Sequence, residues 1–349
     1  MSTQEIPIPE AEPLHRATGG QHPNLVHHVI PSLLRAIGRT AEALRTKHAV
    51  QQAGSANVFG DAQLNVDVLA EDFFRREIES CEYIVTASSE EDPVEKSKSK
   101  STSTSATAKG VYTVAFDPLD GSSIIGPNWS VGCILGIWEG ATALGQDPTT
   151  RQIAAVLGVF GPRNTAIIAV RVPGREDEAA CLEVGIKDGG EDGSFEIIRQ
   201  DVKFQDQDQD QDKDEEDEGK SRKNNKYFAP ANLRAASEDP RYLALVTRYI
   251  RDRYTLRYSG GLVPDVVHAL VKGHGVYLSP VTRGSKAKLR RAYELLPVAL
   301  VVECAGGKAI DPVDGRRILE RRLVDLDETA GLICGTSAEV DLAREVLLG

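Results

Sequence analysis

The sequence predicts an α/β protein in which helices and sheets form stacked layers. Apolar residues recur at helical spacing from Leu25 to Leu44, which indicates an amphipathic first helix. Short β-rich runs separated by turn residues occupy residues 131–198. Beyond residue 227, helical and strand patterns alternate. We therefore expect two halves that pack into one layered α/β unit.

The individual elements can be placed along the chain. A short buried strand is expected at residues 83–87. Antiparallel hairpins are expected further on, because turn sequences separate the β-rich runs 131–138, 154–160, 165–172, 180–184 and 194–198. The second half is predicted to contain helices at 242–251, 264–272 and 286–305, and strands at 276–278 and 331–334. Gly306 and Gly307 provide a stop for the third of these helices.

Charge is concentrated in one segment of the chain. The net charge is −11, and residues 206–218 hold nine acids and one lysine, so about −3 remains for everything else. A body without a basic surface argues against nucleic-acid binding. We expect a disordered acidic loop at 201–226 between an N-terminal domain (23–200) and a C-terminal domain (227–349). We also expect a flexible N-terminus (1–22) and a low-complexity insertion (96–109).

The cysteine pattern and the hydropathy of the chain indicate the cellular compartment. The five cysteines are scattered and form no metal-binding spacing, so reduced core thiols are expected. No apolar run approaches the ~18 residues of a membrane span. The N-terminus lacks a basic segment followed by an apolar core, so we expect a cytoplasmic protein.

The segment Phe116-Asp-Pro-Leu-Asp-Gly-Ser-Ser123 is the strongest functional signal. Asp117 and Asp120 flank a stiff Pro-Leu pair, so both carboxylates can face one point. The glycine and serines that follow suit a turn into a helix N-terminus, where free N–H groups favour an anionic phosphate. Hard oxygen ligands beside such a turn indicate Mg²⁺ or Mn²⁺. An ordinary Asp-Gly turn is the alternative interpretation.

Two further acidic clusters precede this segment. In Gly-Asp-Ala-Gln-Leu-Asn-Val-Asp, Asp67 opens an amphipathic helix and Asp61 lies just before it. Ser88-Ser-Glu-Glu-Asp92 follows the strand at 83–87, and strand ends are where α/β sheets carry their ligand sites. A Glu-Glu-Asp run alone is usually a solvated turn. Three acidic clusters within 60 residues favour a shared metal site.

These three motifs, in this order and spacing, resemble the metal site of the class 1 fructose-1,6-bisphosphatase family. A fourth similar element is Ala287-Lys-Leu-Arg-Arg-Ala-Tyr-Glu294, and the likeness is colinear from about residue 25 to the C-terminus. Tyr293-Glu294 stands where the related inositol monophosphatases typically carry a Trp-Asp motif. The resemblance implies a stacked α-β-α-β-α sandwich with the active site between the halves.

Within the family, the closer likeness is to the sedoheptulose-1,7-bisphosphatases. The similarity is carried by Phe228-Ala-Pro-Ala-Asn-Leu-Arg-Ala235 and by Tyr254-Thr-Leu-Arg-Tyr-Ser-Gly-Gly-Leu-Val-Pro-Asp265. Two tyrosines that read the distal phosphate in the fructose enzymes correspond here to Ala235 and Ser279. The resemblance therefore implies release of the 1-phosphate of sedoheptulose 1,7-bisphosphate, with fructose 1,6-bisphosphate as the alternative substrate.

The resemblance also assigns roles to individual residues. It implies that two or three Mg²⁺ or Mn²⁺ ions are held by Asp61, Asp67, Glu90, Glu91, Asp117, the Leu119 carbonyl, Asp120 and Glu294. Catalytic roles fall to Asp61, Asp67 and Glu91, the last two positioning and deprotonating the attacking water. Substrate binding is implied for Gly121, Ser122, Ser123, Asn232, Arg257, Tyr258, Lys288 and Arg290. A surface position without a ligand is the alternative for Arg257.

Family likeness implies a homodimer or homotetramer, with Arg257 near a neighbouring subunit's site. His22-Pro-Asn-Leu-Val replaces the AMP-binding element of the fructose enzymes, so AMP inhibition is not expected. Val50 and Ser55 stand where plant relatives carry a redox cysteine pair, so thiol switching is not expected either. A different phosphatase (for inositol or nucleotides) and a catalytically inactive scaffold are the remaining alternatives. The scaffold requires loss of a metal ligand, yet all seven acidic side chains are present.

Overall fold

The computed structural model describes residues 8–47, 50–56, 62–98, 108–187, 195–205 and 225–349. Helices α1–α9 span Ile8–Thr18, Ile30–Thr46, Asn65–Ser80, Ser122–Ile125, Pro148–Arg151, Pro240–Arg251, Leu262–Lys272, Leu296–Cys304 and Ser337–Leu348. Two π-helical turns precede helices, at Leu25–Val29 before α2 and at Arg291–Leu295 before α8. Short 3₁₀ turns lie at Glu176–Glu178, Leu233–Ser237 and Ile318–Glu320.

Strands β1–β17 span Gln52–Ala56, Ala62–Leu64, Ile84–Ser89, Lys96–Ser97, Tyr112–Asp120, Val131–Glu139, Gln152–Phe160, Asn164–Val170, Ala180–Ile186, Phe195–Arg199, Tyr227–Pro230, Thr255–Leu256, Val276–Ser279, Leu289–Arg290, Lys308–Ile310, Thr329–Ala330 and Leu332–Gly335. The predicted strand at 83–87 and the five predicted runs after residue 130 are confirmed as β3 and β6–β10, with ends shifted by one or two residues. The second-half strands at 276–278 and 331–334 are confirmed as β13 and β17.

The first half is built on an eight-stranded sheet of order β10-β9-β8-β7-β6-β5-β3-β4. Only β3 and β5 pair in parallel among its described strands; the other neighbours are antiparallel. The second half has a five-stranded sheet of order β12-β11-β13-β17-β15, in which β11 is parallel to β12 and β13. Parallel pairing aligns the carboxyl ends of these three strands at one edge.

Three apolar clusters stack the layers. Residues of α1, α2 and α3 pack on one face of the first sheet. Its other face packs on α7 and α8, which also cover the second sheet. Helices α6 and α9 close the far side of the second sheet. This order is the expected α-β-α-β-α sandwich, with α7 and α8 as the central layer.

The strand patterns explain which layer each face contacts. In β6, Cys133 and Leu135 join the first cluster, whereas Ile134 and Trp138 join the central one. Successive side chains of a strand point to opposite faces, so a sheet covered on both sides needs apolar residues at nearly every position. Helix α8 is likewise buried along almost its whole length. The central layer is therefore shared by the two halves.

The structure corrects the expectation of a loose N-terminus. Helix α1 lies within residues 1–22, and the side chains of Leu14 and Ala17 are buried in the first apolar cluster. Its proline, Pro13, interrupts the helical sequence pattern that would have predicted it. Residues 201–205 are also ordered. Val202 is buried, and its backbone N–H donates to the Cys181 carbonyl.

Three other expectations are refined. The helix predicted at 286–305 begins only at Arg291, because Leu289 and Arg290 pair with Ala330 and Thr329 as a two-residue ladder. The insertion at 96–109 starts as strand β4 on the sheet edge, while 99–107 and the acidic run 206–224 lie outside the described residues. All five cysteines are free and buried, as predicted. Within the described part of the chain, no helix is long and apolar enough to cross a membrane.

Candidate active site

The site is built around strand β5, whose nine residues are all buried. In a regular strand, Asp117 and Asp120 would point to opposite faces because they are three residues apart. The register against β6 shifts between them, so the strand carries an extra residue at this point. Pro118 lies within the shifted segment, and the Leu119 N–H donates to Asp117 Oδ1 at 2.9 Å. The bulge therefore turns both carboxylates toward one cleft.

Asp120 connects the two halves of the protein. Its oxygens accept hydrogen bonds from the Leu262 N–H at 3.2 Å and the Val263 N–H at 2.7 Å. These donors belong to the first turn of α7, where backbone N–H groups lack intrahelical partners. A carboxylate is also favoured there by the helix dipole. Asp120 is therefore held in place by an element more than 140 residues away in the sequence.

Glu294 approaches from the π-helical turn before α8 and accepts a hydrogen bond from the backbone N–H of Arg290. One carboxylate oxygen from each of Asp117, Asp120 and Glu294 lies within 4.8 Å of the others, and all three residues are buried. We call these three residues the acidic triad. Three oxygen ligands at this spacing fit a hard divalent cation.

Asp67 lies beside the acidic triad at the start of α3. Its Oδ2 accepts from the Leu64 N–H at 2.8 Å, as in a capping box, which fixes the carboxylate. Its Oδ1 accepts from the Ser122 hydroxyl at 3.0 Å. Ser122 follows Gly121, whose φ of +94° is a left-handed value that suits glycine. The predicted helix opened by Asp67 and the turn after Asp120 thus meet directly.

Glu90 and Glu91 follow β3 and are half-buried. The Arg290 guanidinium donates from Nε to Glu90 Oε1 at 3.1 Å. Together these elements line a cleft of about 310 Å³. Its walls include Asp67, Glu90, Glu91, Asp117, Leu119, Asp120, Gly121, Ser122, Ser123, Gly260, Leu262, Tyr277, Leu289 and Glu294.

Burial and like charges raise the carboxyl pKa values in this cleft. For Asp117 the largest cause is burial, followed by the charges of Glu90, Asp120 and Glu294, and its pKa lies well above the usual range. Burial and Glu90 likewise raise the pKa of Glu294. Burial raises the pKa of Asp120 to about 6, although its two backbone hydrogen bonds oppose the rise. The acids thus carry more negative charge than the Arg290 guanidinium balances, and a divalent cation would offset the remainder.

Most of the predicted metal-site residues are brought together. Asp67, Glu90, Glu91, Asp117, Leu119, Asp120 and Glu294 share the cleft with the three phosphate-turn residues Gly121, Ser122 and Ser123. Arg290 reaches the cleft through its ion pair with Glu90. Asp61 lies outside the described residues.

The predicted distal-phosphate residues do not line this cleft. Asn232, Arg257 and Tyr258 follow strands β11 and β12 at the aligned carboxyl ends. Arg257 is exposed, and its guanidinium carbon lies 5.8 Å from the Tyr227 ring centroid. The Tyr258 hydroxyl donates to the Ala231 carbonyl at 2.9 Å. Lys288 is exposed on the segment before β14.

Asn232 is engaged with the chain after β13. Its Nδ2 donates to the Pro280 carbonyl at 2.7 Å, and its Oδ1 accepts from the Ser285 hydroxyl at 2.6 Å. Ala235 is buried in the third apolar cluster, so its side chain does not face the distal region. Ser279 is half-buried at the end of β13.

Several residues at the site were not singled out from the sequence, and Tyr277 and Asp265 are the polar ones among them. Tyr277 lines the cleft from β13. Asp265 is buried and accepts from the backbone N–H groups of Ser259 at 2.7 Å and Gly260 at 3.3 Å. It thereby holds the loop that joins Tyr258 to the cleft. An acid in the first turn of an apolar helix is the sequence signal that could have identified Asp265.

Comparison with known proteins agrees with this geometry. The chain matches the sequence profiles of the fructose-1-6-bisphosphatase N-terminal domain over residues 12–178 and C-terminal domain over residues 221–347. It belongs to the fructose-1,6-bisphosphatase family. Chloroplast sedoheptulose-1,7-bisphosphatase of Spinacia oleracea is a relative with 32% identity, covering 91% of this chain and 74% of the relative. Class 1 fructose-1,6-bisphosphatase of Geobacter sulfurreducens is 30% identical over 93% and 92% of the two chains.

Solved structures of the family share the architecture. A Toxoplasma gondii protein provisionally described as a sedoheptulose-1,7-bisphosphatase superposes with a TM-score of 0.80 at 33% identity, covering 99% of both chains. Leishmania major fructose-1,6-bisphosphatase superposes with a TM-score of 0.75 at 21% identity, also over 99% of both chains. The second similarity bears on the fold alone. The family assignment made from the motifs is confirmed.

Proposed function

We propose that this family member is a divalent-metal-dependent phosphatase that removes the 1-phosphate of a sugar bisphosphate, with sedoheptulose 1,7-bisphosphate as preferred substrate. The observation that carries the proposal is the acidic triad: three buried carboxylates gathered from two halves of the chain beside the Gly121–Ser123 turn. An arrangement of buried acids with raised pKa values is costly to stability unless a cation or a function retains it.

The donor set fits Mg²⁺ or Mn²⁺. The ligands available in the cleft are carboxylate oxygens and the Leu119 carbonyl, and its lining contains no cysteine or histidine. Asp67, Glu90, Glu91 and the acidic triad would hold the ions, with Asp61 as a further proposed ligand. Bound there, a divalent cation would neutralise phosphoryl oxygens and make a water molecule more acidic.

The protein's own groups would orient the reaction. Asp67 is fixed by the Leu64 N–H and the Ser122 hydroxyl, and we assign it, with Glu91, to hold the attacking water and accept its proton. The first N–H groups of the turn at Ser122 and Ser123 would donate to phosphoryl oxygens. Arg290 is already paired with Glu90, so it can turn to the scissile phosphate without leaving the cleft.

The choice of sugar rests on sequence similarity to described relatives and on the residue types at the predicted distal-phosphate positions. Relatives with 32–33% identity are described as sedoheptulose-1,7-bisphosphatases, and one with 30% as a fructose-1,6-bisphosphatase. Ala235 and Ser279 stand where the fructose enzymes have tyrosines, and neither side chain carries a phenol group that could bind a distal phosphate. Asn232, Arg257 and Tyr258 would bind it instead, and Lys288 would reach the sugar. Fructose 1,6-bisphosphate is the second candidate substrate.

We also propose a homo-oligomer. Arg257 follows β12, the edge strand of the second sheet, and Leu243, Ile250 and Leu256 nearby are each more than half exposed. An apolar surface beside an open sheet edge suits contact with a second copy. The cytoplasmic location stays a prediction.

Phosphate release from the two bisphosphates, measured side by side with Mg²⁺, with Mn²⁺ and with EDTA, tests the proposal. We expect turnover that requires the cation and a higher kcat/KM for the seven-carbon substrate. A higher kcat/KM for fructose 1,6-bisphosphate would reverse the substrate choice. Cation binding without turnover of either compound would favour a catalytically inactive scaffold, and turnover that survives EDTA would contradict the metal role.

A further inference from the structure

The side chain of Arg291 is almost completely buried beside the metal-ligand turn, with 1% of its surface exposed. It is the first residue of the π-helical turn Arg291–Leu295, which carries Glu294. Removing a guanidinium from water is costly, and the cost is offset only where acidic partners surround it. The acidic partners of Arg291 therefore indicate the role of its buried guanidinium.

Two acids from the opposite ends of the segment between β15 and β16 face the Arg291 guanidinium. Its Nε lies 2.9 Å from Glu328 Oε1, and its Nη2 lies 3.8 Å from Asp311 Oδ2. The contacts with Glu328 and Asp311 are ion pairs. The Nε and Nη1 hydrogens of Arg291 are not aligned for a hydrogen bond with any described residue. Asp311 is buried and Glu328 half-buried. Loss of the guanidinium would leave a buried carboxylate without its closest cation.

The neighbouring arginine points to the opposite side. Arg290 donates to Glu90 at the cleft, whereas Arg291 contacts the two ends of the segment that connects β15 to β16. Between them, the backbone is held by a ladder of only two residue pairs and by the Arg291 N–H, which donates to the Glu328 carbonyl at 2.8 Å. A ladder this short is weak on its own. The two side chains thus fix the start of the turn from both sides.

Glu294 depends on where that turn starts. Its carboxylate accepts from the Arg290 N–H, so a shift of residues 290–291 moves the hydrogen-bond donor that orients it. The other two members of the acidic triad come from β5 and do not depend on this turn.

We propose that Arg291 is a positioning residue for the metal site: its ion pairs with Glu328 and Asp311 fix the π-helical turn so that the Glu294 carboxylate meets Asp117 and Asp120. This inference rests on the proposed function only in that the acidic triad binds a divalent cation. The ion-pair partners of Arg291, Glu328 and Asp311, are not members of the acidic triad.

The test measures Mn²⁺ binding to the metal-free protein by electron paramagnetic resonance, together with the Tm in EDTA. The variants are Arg291→Met, Arg291→Lys and Glu328→Gln. Arg321→Met is the matched control, because Arg321 Nη1 lies 3.9 Å from the same Asp311 but is not on the turn. Residues that orient metal ligands typically alter affinity 10–100-fold, so we expect Arg291→Met to weaken Mn²⁺ binding about tenfold. Arg291→Lys, which keeps the charge, should lie between Arg291→Met and the wild type.

We expect Arg321→Met to lower the Tm while leaving Mn²⁺ affinity within about twofold of the wild type, since it disturbs the network away from the turn. If Arg291→Met fails to fold, Arg291→Lys and Glu328→Gln decide the question. Equal Mn²⁺ affinity in the Arg291, Glu328 and Arg321 variants would overturn the proposal, because it would assign Arg291 to stability alone. Failure of the wild type to release phosphate, with Mn²⁺ bound, would contradict the proposed function without touching this inference.

Discussion

The metal cleft and the distal-phosphate region differ in how much of their geometry the fold supplies in advance. In the cleft, Asp117, Asp120 and Glu294 are buried and each is oriented by a backbone N–H. In the distal region, Arg257 and Tyr258 are exposed on the segment after β12. The cleft is therefore preorganised for a cation, whereas the distal region is more open to solvent. The following predictions test this difference.

Asp120→Asn should have the largest effect. The amide keeps one acceptor for the α7 N–H groups but removes a charge from the acidic triad. Loss of a metal ligand should lower kcat at least about a hundredfold. Steady-state phosphate release with saturating Mg²⁺ measures this. Asp72→Asn, an exposed acid on α3, is the control and should behave as the wild type. Near-normal turnover in Asp120→Asn would contradict the proposal that catalysis takes place in this cleft.

Arg257→Ala should affect binding more than turnover. The exposed guanidinium can contribute one charge-assisted contact to a distal phosphate, so we expect KM to rise about tenfold while kcat changes by less than about threefold. Arg251→Ala, an exposed cation on the preceding helix, is the control. A fall in kcat with unchanged KM would show that the distal region is coupled to the cleft and does not act as an independent substrate-binding site.

The metal-free protein should lose stability as the pH rises. Burial raises the pKa values of the Asp117, Asp120 and Glu294 carboxyl groups in the folded state. Protonation of these groups therefore stabilises the fold, and this stabilisation is fully present below their unfolded-state pKa values of about 4. That stabilisation is lost as the pH rises through the folded pKa, which is about 6 for Asp120. Adding Mg²⁺ should therefore raise the Tm by several degrees more at pH 7.5 than at pH 5.5. Thermal unfolding with Mg²⁺ or EDTA at both pH values provides the measurement, and an equal shift would contradict a cation site built on raised pKa values.

Oxidation should have the smallest effect. All five cysteines are buried and free, and burial raises the thiol pKa of Cys133 and Cys181 well above the usual range. Thiols in this state react slowly. We expect phosphatase activity to change by less than about 1.5-fold between oxidant and dithiol treatment. A large reversible change would contradict the slow reactivity expected of these thiols, because all five cysteines of the chain are among the buried ones.

Asp117 and Asp120 were predicted because they lie in one short motif whose chemistry is local, whereas Glu294 was predicted only through the family resemblance. The layered architecture followed from apolar periodicity that both sheets and helices display. The α7 cap on Asp120 was not predictable, because it joins residues 142 positions apart. Nor was the role of Arg291 apparent, since a guanidinium in an Arg-Arg pair gives no sign of being buried. Helix α1 was missed because Pro13 and the charged residues interrupt the apolar pattern around Leu14 and Ala17.

The edge strand β4 carries a further consequence. Immediately before the undescribed segment 99–107, the Lys98 ammonium donates to the carbonyls of Ile78, Glu79 and Cys81 at the end of α3. Beyond that segment, the Asn24 side chain donates to the Gly110 carbonyl at 2.9 Å. Both ends of the intervening chain are thus fastened to rigid helices. Each doubling of a loop's length costs only about 0.6 kcal/mol. We therefore expect this place to accept a fluorescent tag or an entire guest domain without displacing the carboxylates of the acidic triad.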